Sequence, residues 1–91
     1  MEQLELIKEH LWKNQVDEAI RELNALLQDD FAGKDEAYYL RGNAYRKQSN
    51  WQQALNDYQR AADLNPGSPA VHARRALLDI LEFYNKDMYN H

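Results

Sequence analysis

Two stretches of equal length decide the fold: VDEAIRELNALL at residues 16–27 and WQQALNDYQRAA at residues 51–62. In the first, Val16, Ala19, Ile20, Leu23, Leu26 and Leu27 recur at the i, i+3, i+4, i+7 spacing of one helix face. In the second, Trp51, Ala54, Leu55, Tyr58, Ala61 and Ala62 do the same, each 35 residues after its counterpart. Six matches at one offset define an internal repeat. A shorter helix is expected before each stripe. Leu4, Ile7 and Leu11 mark the first, ending near Lys13 and Asn14; Ala37, Tyr38, Ala44 and Tyr45 mark the second, ending near Gln48 and Ser49.

The boundaries outside these stripes are written in cap and turn residues. Asn50 is placed to cap the helix opened by Trp51, with Gln53 returning the hydrogen bond. Asn65-Pro66-Gly67 should stop that helix, since Pro66 disfavours the α region at Asn65 and Gly67 tolerates positive φ. Ser68-Pro69 then opens a fifth helix, with serine as cap and proline where a missing N–H costs nothing. That helix is expected to end near Tyr84 or Asn85, leaving a polar tail at 86–91. Connections of about two to six residues make successive helices antiparallel neighbours.

Composition agrees with an all-α chain. Among the 91 residues there is no threonine, and Val16, Val71, Ile7, Ile20 and Ile80 are the only β-branched ones, against twelve leucines and eleven alanines. Without cysteine, neither a disulfide nor a thiolate zinc site can staple so small a domain. A net charge of −4 argues against an electrostatic grip on nucleic acid or anionic membrane. No apolar run approaches the roughly 18–20 residues that span a bilayer. Met1–Glu5 carries acid where an export signal needs positive charge, so the expected compartment is the cytoplasm. The starting Met1 and the polar last helix also lead us to expect a complete chain.

From about Asp35 to Ser68 the sequence resembles a tetratricopeptide repeat. That pattern runs aromatic, leucine-glycine, tyrosine, alanine, aromatic and proline. Here Tyr38, Arg41 with Gly42, Tyr45, Ala54, Tyr58 and Pro66 fill it, with Ala61 at a further small position and Arg41 replacing the leucine. Gly42 and Ala54 are small where two helices must approach closely. Residues 1–33 match more weakly: Leu6, Ala19 and Leu23 fit, while Gln3, Ile7, His10 and Phe31 do not. Ile7 at the glycine place predicts a wider crossing. The 35-residue spacing implies one extra residue within Asp29–Lys34. Residues 69–85 match half a repeat, with His72, Arg75 and Asp79 solvating a cap. The resemblance implies one domain: repeat 1 at about 1–33, repeat 2 at about 34–68 and a cap helix at about 69–85, forming a short right-handed superhelix.

Catalytic chemistry finds little support. His10, His72 and His91 are scattered without metal-ligand spacing, and Ser49 and Ser68 belong to a turn and a cap. Pairs such as Glu5/Glu9 and Asp17/Glu18 read as solvated faces. No phosphate loop appears, and no cofactor is expected. A small helical enzyme or metal-binding bundle is the remote alternative.

The resemblance instead implies a protein–protein interaction module whose first helices line a groove for a peptide or partner helix. By position, repeat 1 offers Leu4, Lys8, Leu11 and Trp12, repeat 2 offers Tyr39, Asn43, Arg46 and Lys47, and the cap offers Ala73, Arg74, Leu77 and Ile80. An apolar groove with a basic rim favours an acidic or carboxylate-bearing ligand. The competing reading makes Arg46 and Lys47 ordinary charges at a helix C-terminus. The chaperone-binding carboxylate clamp of some relatives is not expected, because Tyr39 stands where lysine is required.

The cap helix is apolar over roughly 160°, from Phe83 and Ala76 through Ile80, Ala73, Tyr84 and Leu77 to Leu81. Val71 and Leu78 lie outside this arc, on the side expected to meet repeat 2. Either the arc packs internally, or it forms a second contact. In the second case the chain is a self-associating adaptor, a homodimer or helix swap centred on Leu77, Leu81 and Tyr84.

Overall fold

The two stripes fold as the second and fourth of five helices in a computed structural model, which describes residues 1–89 and side chains as far as Tyr84. The order is α1 (Glu2–Trp12), α2 (Val16–Leu26), α3 (Lys34–Lys47), α4 (Trp51–Leu64) and α5 (Ala70–Tyr89), with no strand among the described residues. Asn90 and His91, the last of the expected polar tail, lie outside the described residues. α5 continues past the expected end at Tyr84 or Asn85 and takes up residues read as tail. No glycine or proline follows Pro69, so nothing in the sequence stops the helix.

The turns inside the two helix pairs are copies of one another. Asn14 and Ser49, 35 residues apart, adopt left-handed φ of 63° and 61°. In each, the next N–H closes back by five residues, Gln15 to the His10 carbonyl at 2.8 Å and Asn50 to the Tyr45 carbonyl at 2.9 Å. This satisfies helix-end carbonyls that would otherwise be orphaned. Asn50 therefore flanks α4 without a side-chain capping bond; its ψ of 78° falls short of the extended region from which a cap side chain reaches the helix N–H groups.

At the other end of α4, Asn65 is extended, as a residue before proline must be. Gly67 does not use positive φ, contrary to expectation. Its N–H instead donates to the Asn65 side-chain oxygen at 2.9 Å. Ser68 caps α5 as expected, its hydroxyl accepting from the Ala70 N–H at 3.0 Å.

Burial follows the stripes. One cluster joins Leu4, Ile7, Leu11, Ala19 and Leu23 of the first pair to Ala37, Leu40 and Ala44 of α3. A second joins Ala54, Tyr58 and Ala61 of α4 to Ala70 and Leu77 of α5, with Tyr38, Tyr39 and Tyr45 of α3 packed against it. α3 is thus a wall common to both. Its crossing with α4 is tight: a Cβ on Gly42 would sit 2.6 Å from the Tyr58 ring and 3.3 Å from the Ala54 carbonyl oxygen. At the equivalent crossing of α1 and α2, Ile7 borders an open cavity of about 450 Å³.

Candidate interaction groove

A second cavity, of about 680 Å³, opens where the C-terminal halves of α1 and α3 run side by side. It is lined by Lys8, Leu11 and Trp12 of α1 and by Leu40, Asn43, Arg46 and Lys47 of α3. Helical spacing explains the set. Lys8, Leu11 and Trp12 stand at i, i+3 and i+4, and Leu40, Asn43 and Lys47 at i, i+3 and i+7. Leu11 and Leu40 are buried and form the floor, whereas Trp12, 89% exposed, stands at the edge.

The polar groups on this surface are donors. Tyr58 donates its hydroxyl to the Asn43 side-chain oxygen at 2.6 Å, which leaves the Asn43 NH₂ as the group still to be partnered. Burial pushes the Tyr58 hydroxyl above the usual tyrosine range, against the opposing pull of the nearby Arg46 guanidinium. Arg46 and Lys47 make no ion pair among the described residues, and no carboxylate lines the cavity. Lys8 is engaged, bonded to Glu36 at 2.6 Å and Glu5 at 2.9 Å, and these carboxylates hold its pKa up at about 12. The uncommitted positive charge is therefore that of Arg46 and Lys47.

Six sequence-derived groove residues lie elsewhere. Leu4 is buried in the first core cluster, because it shares the inward stripe with Ile7 and Leu11. Tyr39 turns between the two clusters, its ring 6.1 Å from that of Tyr58. Ala73, Arg74, Leu77 and Ile80 are on α5, which packs on α4 and contributes nothing to the cavity lining. Leu40 was missed as a floor residue, although it lies three positions before Asn43 on the same face.

The α5 reading needs correction too. The face of α5 that meets α4 carries Ala70, Ala73, Leu77 and Leu81, so Leu77, 1% exposed, is core and cannot centre a self-association surface. Leu81 is half-buried against the same cluster. Val71, expected to meet repeat 2, is exposed instead, and Leu78 is half-buried. The helix is rotated relative to that expectation, and only Tyr84 of the three proposed contact residues is outside.

Sequence reasoning also missed a polar lock behind the groove. Arg41 donates two bonds to the Asp57 carboxylate, at 2.7 and 2.9 Å, and a third to the Asn24 side-chain oxygen at 2.9 Å. Its guanidinium lies 5.5 Å from the Tyr38 ring centre and 5.9 Å from that of Tyr45. The departure from leucine at Arg41 is thus a partnered ion. A signal existed: Asp57 sits three residues after Ala54 and four before Ala61, on the buried face, where a carboxylate demands a partner.

Among the described residues no group of acidic and histidine side chains could hold a metal, and no helix is long and apolar enough to cross a membrane. Comparison with known proteins adds a family pattern. The model of the tetratricopeptide repeat matches residues 35–68. The chain is also similar to a Bacteroides fragilis protein solved in solution by NMR, at 57% identity and a TM-score of 0.88. That likeness covers 99% of this chain and 91% of the other. No curated protein matches it.

Proposed function

Because the chain belongs to the tetratricopeptide repeat family, whose repeats are protein–protein interaction modules, we propose that it binds protein partners without catalysing a reaction. The proposed ligand is an acidic peptide or partner helix held between α1 and α3. The observation that carries this reading is the 680 Å³ groove, with donors and two uncommitted cations over an apolar floor. Carboxylates of the ligand would meet Arg46, Lys47 and the Asn43 NH₂, and an apolar side chain would lie on Leu11 and Leu40 beside Trp12. Such an arrangement gives charge steering and orientation, with the apolar anchor supplying most of the affinity.

Trp12 provides the readout. In a Trp51→Phe background, a panel of acidic amphipathic peptides should shift its fluorescence, while lysine-for-glutamate versions of the same peptides should not. Added salt should weaken the shift. Arg46→Glu with Lys47→Glu should abolish it with circular dichroism unchanged. Unchanged binding by that double variant would overturn the basic-groove reading.

A further inference from the structure

α5 is six residues longer than α4, so about 9 Å of it has no α4 alongside. The inward stripe nevertheless continues into this overhang. Tyr84 follows Leu77 by seven residues on the same face, yet it is 74% exposed, and Phe83 beside it is 76% exposed. Their rings meet edge to face, with centres 5.5 Å apart. Asp79 and Glu82, exposed on the same stretch, make no ion pair among the described residues. Trp12, Phe83 and Tyr84 are the three most exposed large apolar side chains in the described molecule. One stands at the rim of a basic groove, and the other two lie on the stretch of α5 from residue 79 to 87. There Asp79, Glu82 and Asp87 outnumber Lys86, although the helix as a whole is balanced by Arg74 and Arg75.

We propose that the distal half of α5 from one copy occupies the α1–α3 groove of a second copy. This inference rests on the groove reading above and names the partner for it. Phe83 supplies the apolar anchor over Leu11 and Leu40, and Asp79, one turn before it on the same face, supplies the charge that Arg46 and Lys47 lack. Tyr84 and Glu82 flank this face on opposite sides, against the two rims. Charge complementarity selects this pairing over an α5–α5 contact, which would bring the Asp79–Glu82 acids of two copies together. The contact joins two different surfaces, so each bound pair retains one open groove and one open α5.

Sedimentation equilibrium of the full-length protein at low salt tests it, from about 10 μM to about 1 mM, a range that captures weak association. The wild-type mass should rise above 10.8 kDa with concentration. Phe83→Glu/Tyr84→Glu and Arg46→Glu/Lys47→Glu should each remain monomeric and helical. Phe83→Ser/Tyr84→Ser and Lys47→Glu alone serve if either double variant misfolds. An equimolar mixture of the two double variants should recover association, but only to a pair, since one contributes the groove and the other the helix. A wild type that stays monomeric throughout would overturn the proposal, as would a mixture that remains inert. If the wild type is monomeric while acidic peptides still shift Trp12, the self-partner fails and the groove reading stands. If neither occurs, both fail.

Discussion

At equivalent positions 35 residues apart, the first helix pair carries Ile7, Glu22 and Leu23 where the second carries Gly42, Asp57 and Tyr58. The turns joining the helices are the same, but the seams are not. In the second pair the missing Cβ of Gly42 admits the Tyr58 ring, and Asp57, 1% exposed, is clasped by Arg41. In the first pair Ile7 fills its own place, and the crossing opens into a cavity beside it. There the acid equivalent to Asp57 meets a histidine near the surface, Glu22 to His10 at 3.1 Å. Shared periodicity therefore sets the topology, while a few side chains at the crossing set how tightly each pair closes.

The largest difference should appear at the acids. Asp57→Ala leaves the mostly buried Arg41 guanidinium without its carboxylate, and removing one partner of such a pair costs about 3–5 kcal/mol. Glu22→Ala, at a solvent-exposed contact, should cost under about 1 kcal/mol. Urea melts of the two variants would measure this. Similar midpoints would break the contrast between a locked and an open seam.

A smaller gap is expected at the crossing itself. Gly42→Leu places atoms against a buried ring that a hydrogen bond already holds, an overpacking of about 1–3 kcal/mol. Leucine's better helix propensity returns about 1 kcal/mol of that. Ile7→Leu, volume-conserving and beside open space, should cost less than about 1.5 kcal/mol. A thermal midpoint raised by Gly42→Leu would show that α3 and α4 do not need their close approach.

The smallest effect concerns the turns. Both Asn14 and Ser49 hold left-handed φ, which disfavours most L-residues by about 1–2 kcal/mol but asparagine less. Ser49→Gly should therefore stabilise the protein, by about 0.5–1 kcal/mol after glycine's greater freedom in the unfolded chain is counted. Asn14→Gly should gain less. Equal gains in thermal melts would mean that the asparagine contributes nothing special to its turn.

Helix number, order and pairing were legible because the 35-residue offset repeats apolar positions, and apolar burial is what packs helices together. The same logic located Gly42 and the Ser68 cap, where one residue type has a single local use. It failed where outcome depends on rotation about a helix axis. α5 carries a wide apolar arc, and only contact with α4 decides that Leu77 is core and Val71 is not. For the groove, position along α1 and α3 brought Lys8, Leu11, Trp12, Asn43, Arg46 and Lys47 onto one surface in the structure. Leu4 and Tyr39 were misplaced because a turn of helix offers two neighbours, and the sequence does not say which is closer. The Arg41–Asp57 pair went unread because each residue looked ordinary until set beside the other.

The common wall formed by α3 bears on how the molecule comes apart. Ala37, Leu40 and Ala44 belong to one cluster and Tyr38 and Tyr45 pack against the other, on different faces of a single helix, with Tyr39 touching both. Arg41, between them in sequence, bonds outward to both α2 and α4. Melting α1 with α2, or α4 with α5, would strip one face of α3 while the other stayed clothed. Fraying is therefore confined to the outer helices, and α3 opens only in the global event. Its backbone amides, slowest to exchange with heavy water, would report the stability of the whole chain.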